Sequence, residues 1–273
     1  MPQFILPDGK SLWYEDDGGG PVIVLVHGWC MSSLVWRFQF EGLRDSFRLI
    51  APDLRGHGQS IDFFDGYGFS GFASDLRELF FKLDLWNVVL VGWSMGAEVA
   101  LSAFDQLKER LSALVLVSGT SRFVSGEDYS HGLDASEVVG MEIGLRRNPL
   151  KTLERFANSM FAEGELASDE QRGVIRELLR QAPFPERRVA LESLKELRDA
   201  DMRGILDSVD IPTLIVNGDK DRICLPGASD YMARRIAGSS HMIFKDCGHA
   251  SFLTRCNQFN NTITDFCGGI FDP

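Results

Sequence analysis

The chain has 273 residues, with 28 Lys or Arg against 39 Asp or Glu, a net charge of −11, and 44% hydrophobic residues. That is the composition of a globular protein with room for one large α/β domain and an insertion, and without a basic stretch it excludes a nucleic-acid partner. Five scattered cysteines (Cys30, Cys224, Cys247, Cys256, Cys267) form no C-x-x-C pair and no metal-ligand spacing, so they read as reduced packing residues.

The first nine residues have neither a basic n-region nor a long apolar run, so a signal peptide and a membrane anchor are not expected and a cytoplasmic location is. Phe4-Ile5-Leu6 and Leu12-Trp13-Tyr14 flank a Pro7-Asp8-Gly9 turn signal and predict an antiparallel hairpin at a sheet edge. Val22 to Val26 is a continuous apolar run, the mark of a strand buried on both faces, and it ends in His27-Gly28-Trp29. A helical stretch from about Trp36 to Leu43 precedes a strand from Phe47 to Ala51, which runs into Asp53-Leu54-Arg55-Gly56-His57-Gly58-Gln59-Ser60. Phe72, Leu76, Leu79, Phe80 and Leu83 mark one face of an amphipathic helix. Val88 to Val91 is the next strand, followed by Gly92-Trp93-Ser94-Met95-Gly96 and a helix-compatible segment, and Leu114 to Val117 is another buried strand.

This alternation predicts a mostly parallel sheet flanked by helices. From about Phe123 to Met202 the pattern changes to helical spacing, interrupted at Asn148-Pro149 and Pro183-Phe184-Pro185. The sheet resumes at Pro212 to Val216, with Gly218-Asp219-Lys220-Asp221 after it, and at His241 to Phe244; Gln258 to Phe266 offers a closing helix. The expected organisation is a core formed by residues 1–122 and 203–273, with a helical lid over 123–202.

The strand, G-x-S-x-G and helix sequence around Ser94 predicts a nucleophile elbow. A sharp turn there needs positions without bulk two residues before and after the serine, and Gly92 and Gly96 supply them. A serine hydroxyl is a weak nucleophile at neutral pH, so it needs a base and the base an orienting carboxylate, both at carboxyl ends of strands later in the chain. Among the five histidines, His27 and His57 precede the elbow, His131 lies in the insertion and His241 opens a strand; His249 remains. For the carboxylate, Asp210 lies before its strand, Asp219 suits a turn cap, and Asp221 is favoured because it is far enough along the loop to reach an imidazole. Met95 N–H and Trp29 N–H are the expected oxyanion donors, and His27 is expected to stabilise its turn.

These motifs, His27-Gly28-Trp29, Asp53 to Ser60, Gly92 to Gly96, Gly218 to Asp221 and Gly248-His249, resemble those of the α/β-hydrolase superfamily over essentially the whole chain. Within it the G-W-S-x-G elbow and the H-G-W loop look most like the pimeloyl-acyl-carrier-protein methyl ester esterases of biotin synthesis. Lys151-Thr152-Leu153-Glu154-Arg155-Phe156 is similar to that family's lid helix, so the resemblance gives Arg155 the carrier protein and Phe156 the acyl channel. It implies hydrolysis of a methyl ester on a carrier-bound pimeloyl chain by a monomeric enzyme without metal or organic cofactor. Ala97 departs from the family, where many members have a second glycine. A short-chain carboxylesterase without a carrier partner, and a ligand-binding protein on the same fold, are the alternatives.

Overall fold

The computed structural model describes residues 2–166, 168–181 and 184–271. Eight strands form one sheet: β1 (Gln3–Ile5), β2 (Ser11–Asp17), β3 (Val22–Val26), β4 (Arg48–Pro52), β5 (Val88–Trp93), β6 (Leu111–Val117), β7 (Thr213–Gly218) and β8 (Ser240–Phe244), in the order β1-β2-β4-β3-β5-β6-β7-β8. The first two strands pair antiparallel, as the turn signal requires, with Phe4 opposite Leu12 and Gly9 at φ +84°. Strand β2 is antiparallel to β4, and β3 to β8 are parallel. Parallel strands need crossover helices, which cover both faces and exclude water from the middle of the sheet; β5 and β7 are accordingly buried at every residue.

The crossovers are α1 (Arg37–Leu43), α2 (Phe69–Lys82) and α3 (Met95–Leu107). Four helices, α4 (Ala135–Arg147), α5 (Pro149–Ser159), α6 (Asp169–Gln181) and α7 (Arg187–Asp199), fall between β6 and β7; α8 (Pro226–Arg235), α9 (Ser251–Thr254) and α10 (Cys256–Phe271) complete the chain. Helix α2 packs on α3, α1 on α10, and α4 on both α5 and α7. Asn148-Pro149 ends α4 and starts α5, with the Asn148 side chain accepting from Lys151 N–H and Pro149 in the first turn, where a missing N–H costs nothing. Phe184 and Pro185 precede α7 without helical structure, and Pro183 lies outside the described residues.

The borders differ from sequence expectation where tertiary pairing extends an element. Strand β4 runs on to Pro52, which lies opposite Tyr14, and Asp53 N–H donates to Trp13 O at 2.9 Å. Helix α10 outruns the predicted segment at both ends, with Phe259 and Ile263 buried among the polar residues of its first half. The apolar strand β8 forms the sheet's edge, leaving Met242 39% and Ile243 40% exposed.

Candidate active site

Ser94 lies between the end of β5 and the first residue of α3, at φ 56° and ψ −123°. A non-glycine residue at positive φ costs on the order of 1–3 kcal/mol, so the surroundings must hold it there. Ser94 N–H donates to Val117 O at 2.9 Å, and Ala97 N–H to Ser94 O at 2.8 Å. The two glycines of the motif have no room for a side chain: a Cβ on Gly92 would lie 2.2 Å from Gly96 O, and one on Gly96 2.3 Å from Val26 O. Met95 N–H opens α3 and therefore has no intrahelical acceptor. A Cβ on Gly28 would sit 3.1 Å from Ser94 Cβ, so the loop after β3 runs against the serine and brings the Trp29 amide with it.

Beyond β8 the chain turns back over the same end of the sheet. His249, fully buried, shares a hydrogen bond of 2.8 Å between its Nδ1 and Asp221 Oδ2. Asp221 Oδ1 accepts from Ile223 N–H at 2.8 Å and Cys224 N–H at 3.1 Å, which fixes the carboxylate before the imidazole meets it. A Cβ on Gly218 would lie 2.2 Å from both Cys247 O and Gly248 O, so only glycine lets the loops after β7 and β8 touch. With Nδ1–H given to the carboxylate, Nε2 keeps its lone pair, and among the described residues it has no partner. Trp93 Nε1–H donates to His249 O at 2.9 Å and its ring lies 5.4 Å from the imidazole, which ties the histidine to the residue before Ser94. Asp219 does something else: it accepts from Asp246 N–H at 2.7 Å and shapes the turn. The Cys224 thiol, beside the Ser94 hydroxyl, is pushed well above its ordinary range by burial and stays protonated.

His27 holds the loop after β3. Its Nδ1–H donates to Gly28 O at 2.9 Å, and its Nε2 accepts from Leu54 N–H at 3.0 Å. Asp53 accepts from Ser33 and Gln59 N–H, each at 2.8 Å, and so braces the same corner. Burial lowers His27 to about 4 and His57 to about 3, so both are neutral in the fold while an unfolded chain protonates them near 6.5. Below pH 6.5 the unfolded state therefore binds more protons, and each histidine removes roughly 1.4 kcal/mol of stability per pH unit down to its folded value. The urea midpoint of His57→Gln should accordingly fall less steeply than that of wild type between pH 6.5 and 4; parallel slopes would mean that His57 is charged in the fold.

A cavity of about 590 Å³ opens between α4, α5 and the loop after β7, with Phe123, Leu133, Met141, Phe156 and Ile223 as apolar wall and Arg155, Arg222 and Glu137 as charged members. The Phe156 ring packs edge-on at 4.8 Å against Trp29, whose Nε1–H reaches Ser193 Oγ at 3.1 Å and Ala190 O at 3.2 Å on α7. The structure thus brings Ser94, Met95, Trp29, Asp221, His249 and Phe156 into one region and sets Arg155, exposed, on the cavity wall. Sequence reasoning missed Arg222 and Ser193. Arg222 carried a usable signal as the neighbour of Asp221, but Ser193 is one of many polar residues on an amphipathic helix.

A sequence model of the alpha/beta hydrolase fold matches residues 21–255. The chain belongs to this family. Among curated relatives of this α/β-hydrolase, the pimeloyl-[acyl-carrier protein] methyl ester esterase of Nitrosomonas europaea is 33% identical over 250 residues, spanning 91% of this chain and 96% of that one. The protein of the same name from Nitrosospira multiformis is 32% identical over 263 residues, 94% of this chain and 98% of its own. Among solved structures, the esterase EaEST from Exiguobacterium antarcticum superposes with a TM-score of 0.89 at 28% identity, covering 97% of this chain and 98% of that one.

Proposed function

We propose that this α/β-hydrolase is a serine carboxylesterase that removes the methyl group from a pimeloyl methyl ester presented by acyl carrier protein, a step of biotin synthesis. The observation that carries the reading is the strained Ser94 turn beside a fully buried His249–Asp221 pair with Nε2 free to take a proton. In the mechanism, Ser94 Oγ attacks the ester carbonyl while His249 Nε2 takes its proton, and the oxyanion is met by Met95 and Trp29 N–H. The tetrahedral intermediate expels methoxide, which leaves as methanol with the proton from Nε2. Water, deprotonated by the same nitrogen, then attacks the acyl-enzyme; its collapse returns the proton to Ser94 and releases the carboxylate. Asp221 keeps Nδ1–H in place and offsets the imidazolium charge. None of these steps calls for a metal or organic cofactor.

The names of the curated relatives support the substrate, as does the wall beside Phe156, which suits a long acyl chain. Arg155 is exposed at the rim and makes no ion pair among the described residues, and residues 140–200 hold eleven Lys or Arg and eleven Asp or Glu within a chain of net charge −11. The lid is therefore the less repulsive face toward an acidic carrier. Mass spectrometry of methyl pimeloyl carrier protein after incubation with the enzyme tests the reading, with loss of the methyl group as the expected result. Arg155→Glu should raise KM for that substrate on the order of tenfold, less at high salt, where attraction beyond a Debye length of ~10 Å at 0.1 M is screened. Hydrolysis of a small free ester should be unchanged. An unaltered KM with the carrier-bound ester would favour a short-chain carboxylesterase without a carrier partner.

A further inference from the structure

The helical insertion reaches the histidine loop through a buried carboxylate that the mechanism above does not use. Glu165 stands between α5 and α6, only 2% exposed. Its Oε2 accepts from Gly248 N–H at 2.8 Å and from Ala162 N–H at 2.7 Å, and its Oε1 accepts from Thr254 Oγ1 at 2.5 Å. Burying a carboxylate is costly unless its oxygens are satisfied, and here two of the three donors, Gly248 and Thr254, lie on the segment that carries His249 and runs on through α9. Two neighbouring bonds run between the same segments. His249 N–H donates to Met160 O at 2.7 Å, and Gln171 Nε2 donates to Thr254 O at 2.9 Å. The contact is close enough that a Cβ on Gly248 would lie 2.4 Å from Met160 O.

We infer that Glu165 is a positioning residue, which holds the segment 248–254, the His249 turn and α9, against the insertion so that the His249 imidazole stands in register with both Asp221 and Ser94. The inference rests on the reading of His249 as the general base. The Asp221 bond fixes one ring nitrogen, and the backbone on either side of His249 determines where the other one points. Gly248 N–H and His249 N–H, both held by the insertion, set that backbone, and Thr254 fixes it again five residues on. Met160 directly follows the last residue of α5, the helix that carries Arg155 and Phe156. Whatever presses on α5 therefore acts on the same carbonyl that holds His249.

The test uses purified full-length variants with p-nitrophenyl butyrate as substrate. A displacement of about 1 Å in a reacting group can cost on the order of 10²-fold in rate. Glu165→Ala should lower kcat by about that factor, leave KM within about threefold, and slow fluorophosphonate labelling of Ser94 in parallel. The low-field proton resonance of His249 Nδ1–H should shift or broaden. Glu165→Gln should restore kcat to within about threefold of wild type, since the amide oxygen can accept from Gly248 and the amide nitrogen can donate to Thr254 Oγ1. Glu163→Gln, an exposed neighbour on the same turn, should change nothing. Wild-type kcat in Glu165→Ala beside an inactive His249→Gln overturns the positioning role and leaves the base intact, whereas an active His249→Gln overturns the base itself. Equal kcat losses in the Ala and Gln variants, tracking equal losses in Tm with an unmoved resonance, would mean that Glu165 is only structural. If Glu165→Ala does not fold, Thr254→Val, which removes one of the three bonds, should lower kcat severalfold with the same shift of the resonance; an unchanged kcat there overturns the inference.

Discussion

Ser94→Ala should lower kcat on any carboxylic ester by at least ~10³-fold while KM stays near that of wild type. In the proposed mechanism the hydroxyl forms the acyl-enzyme, so its loss removes the two-step route; what would remain is the oxyanion pair and substrate binding, which together keep a residual acceleration over water. The substitution leaves the fold alone for a specific reason. Ser94 is held at positive φ by its own backbone bonds to Val117 and Ala97 and by the fit of Gly92 and Gly96, none of which involves the side chain. Alanine has the same Cβ and meets the same strain, so circular dichroism and the urea midpoint should be close to those of wild type. A fluorophosphonate probe should label the wild-type chain at Ser94 and leave Ser94→Ala unlabelled. Label on another residue, or an active protein that takes none, would remove the elbow from the mechanism.

The elbow is legible in sequence because every constraint on it is local: the apolar strand, the two glycines and the helix lie within the twenty residues from 88 to 107 and each reports a backbone necessity. The parallel core is legible for a related reason, since strands buried on both faces must be apolar throughout, as β3 and β5 are, and as β6 is from Ala113 to Val117. His249 is reachable by chain order and elimination. What local pattern does not reveal is the set of bonds that cross from the insertion. Ala162-Glu163-Gly164-Glu165 reads as a solvated turn, and nothing in it distinguishes exposed Glu163 from Glu165, whose partner Gly248 lies 83 residues on. The Trp29 indole bond to Ser193 spans 164 residues and is hidden in the same way. Strand β8 is legible as a strand but not as an edge: an apolar run carries no information on whether another strand lies beyond it.

Asp221→Asn should be the second severe lesion, lowering kcat by roughly 10⁴-fold, whereas Asp219→Asn should cost no more than about threefold. Both aspartates stand on the loop after β7, two residues apart, and the structure gives them different work. Asp221 Oδ1 is committed to the amides of Ile223 and Cys224, which leaves the other position to face His249 Nδ1. In Asp221→Asn the oxygen retains those two amides, and the NH2 group is then the one presented to the imidazole. An NH2 group donates, so Nδ1 must accept, and the proton moves to Nε2, the nitrogen that in the proposed mechanism receives a proton from Ser94. The ring stays in place with the wrong tautomer, which is why the loss should fall on kcat with little change in KM and little change in stability. Asp219 accepts from Asp246 N–H, a bond that an asparagine oxygen can also make, so its replacement keeps the turn. Steady-state kinetics on one ester, with active-site titration to count competent enzyme, separates the two. Small and similar losses in both variants would place the orienting carboxylate elsewhere and require a different partner for His249.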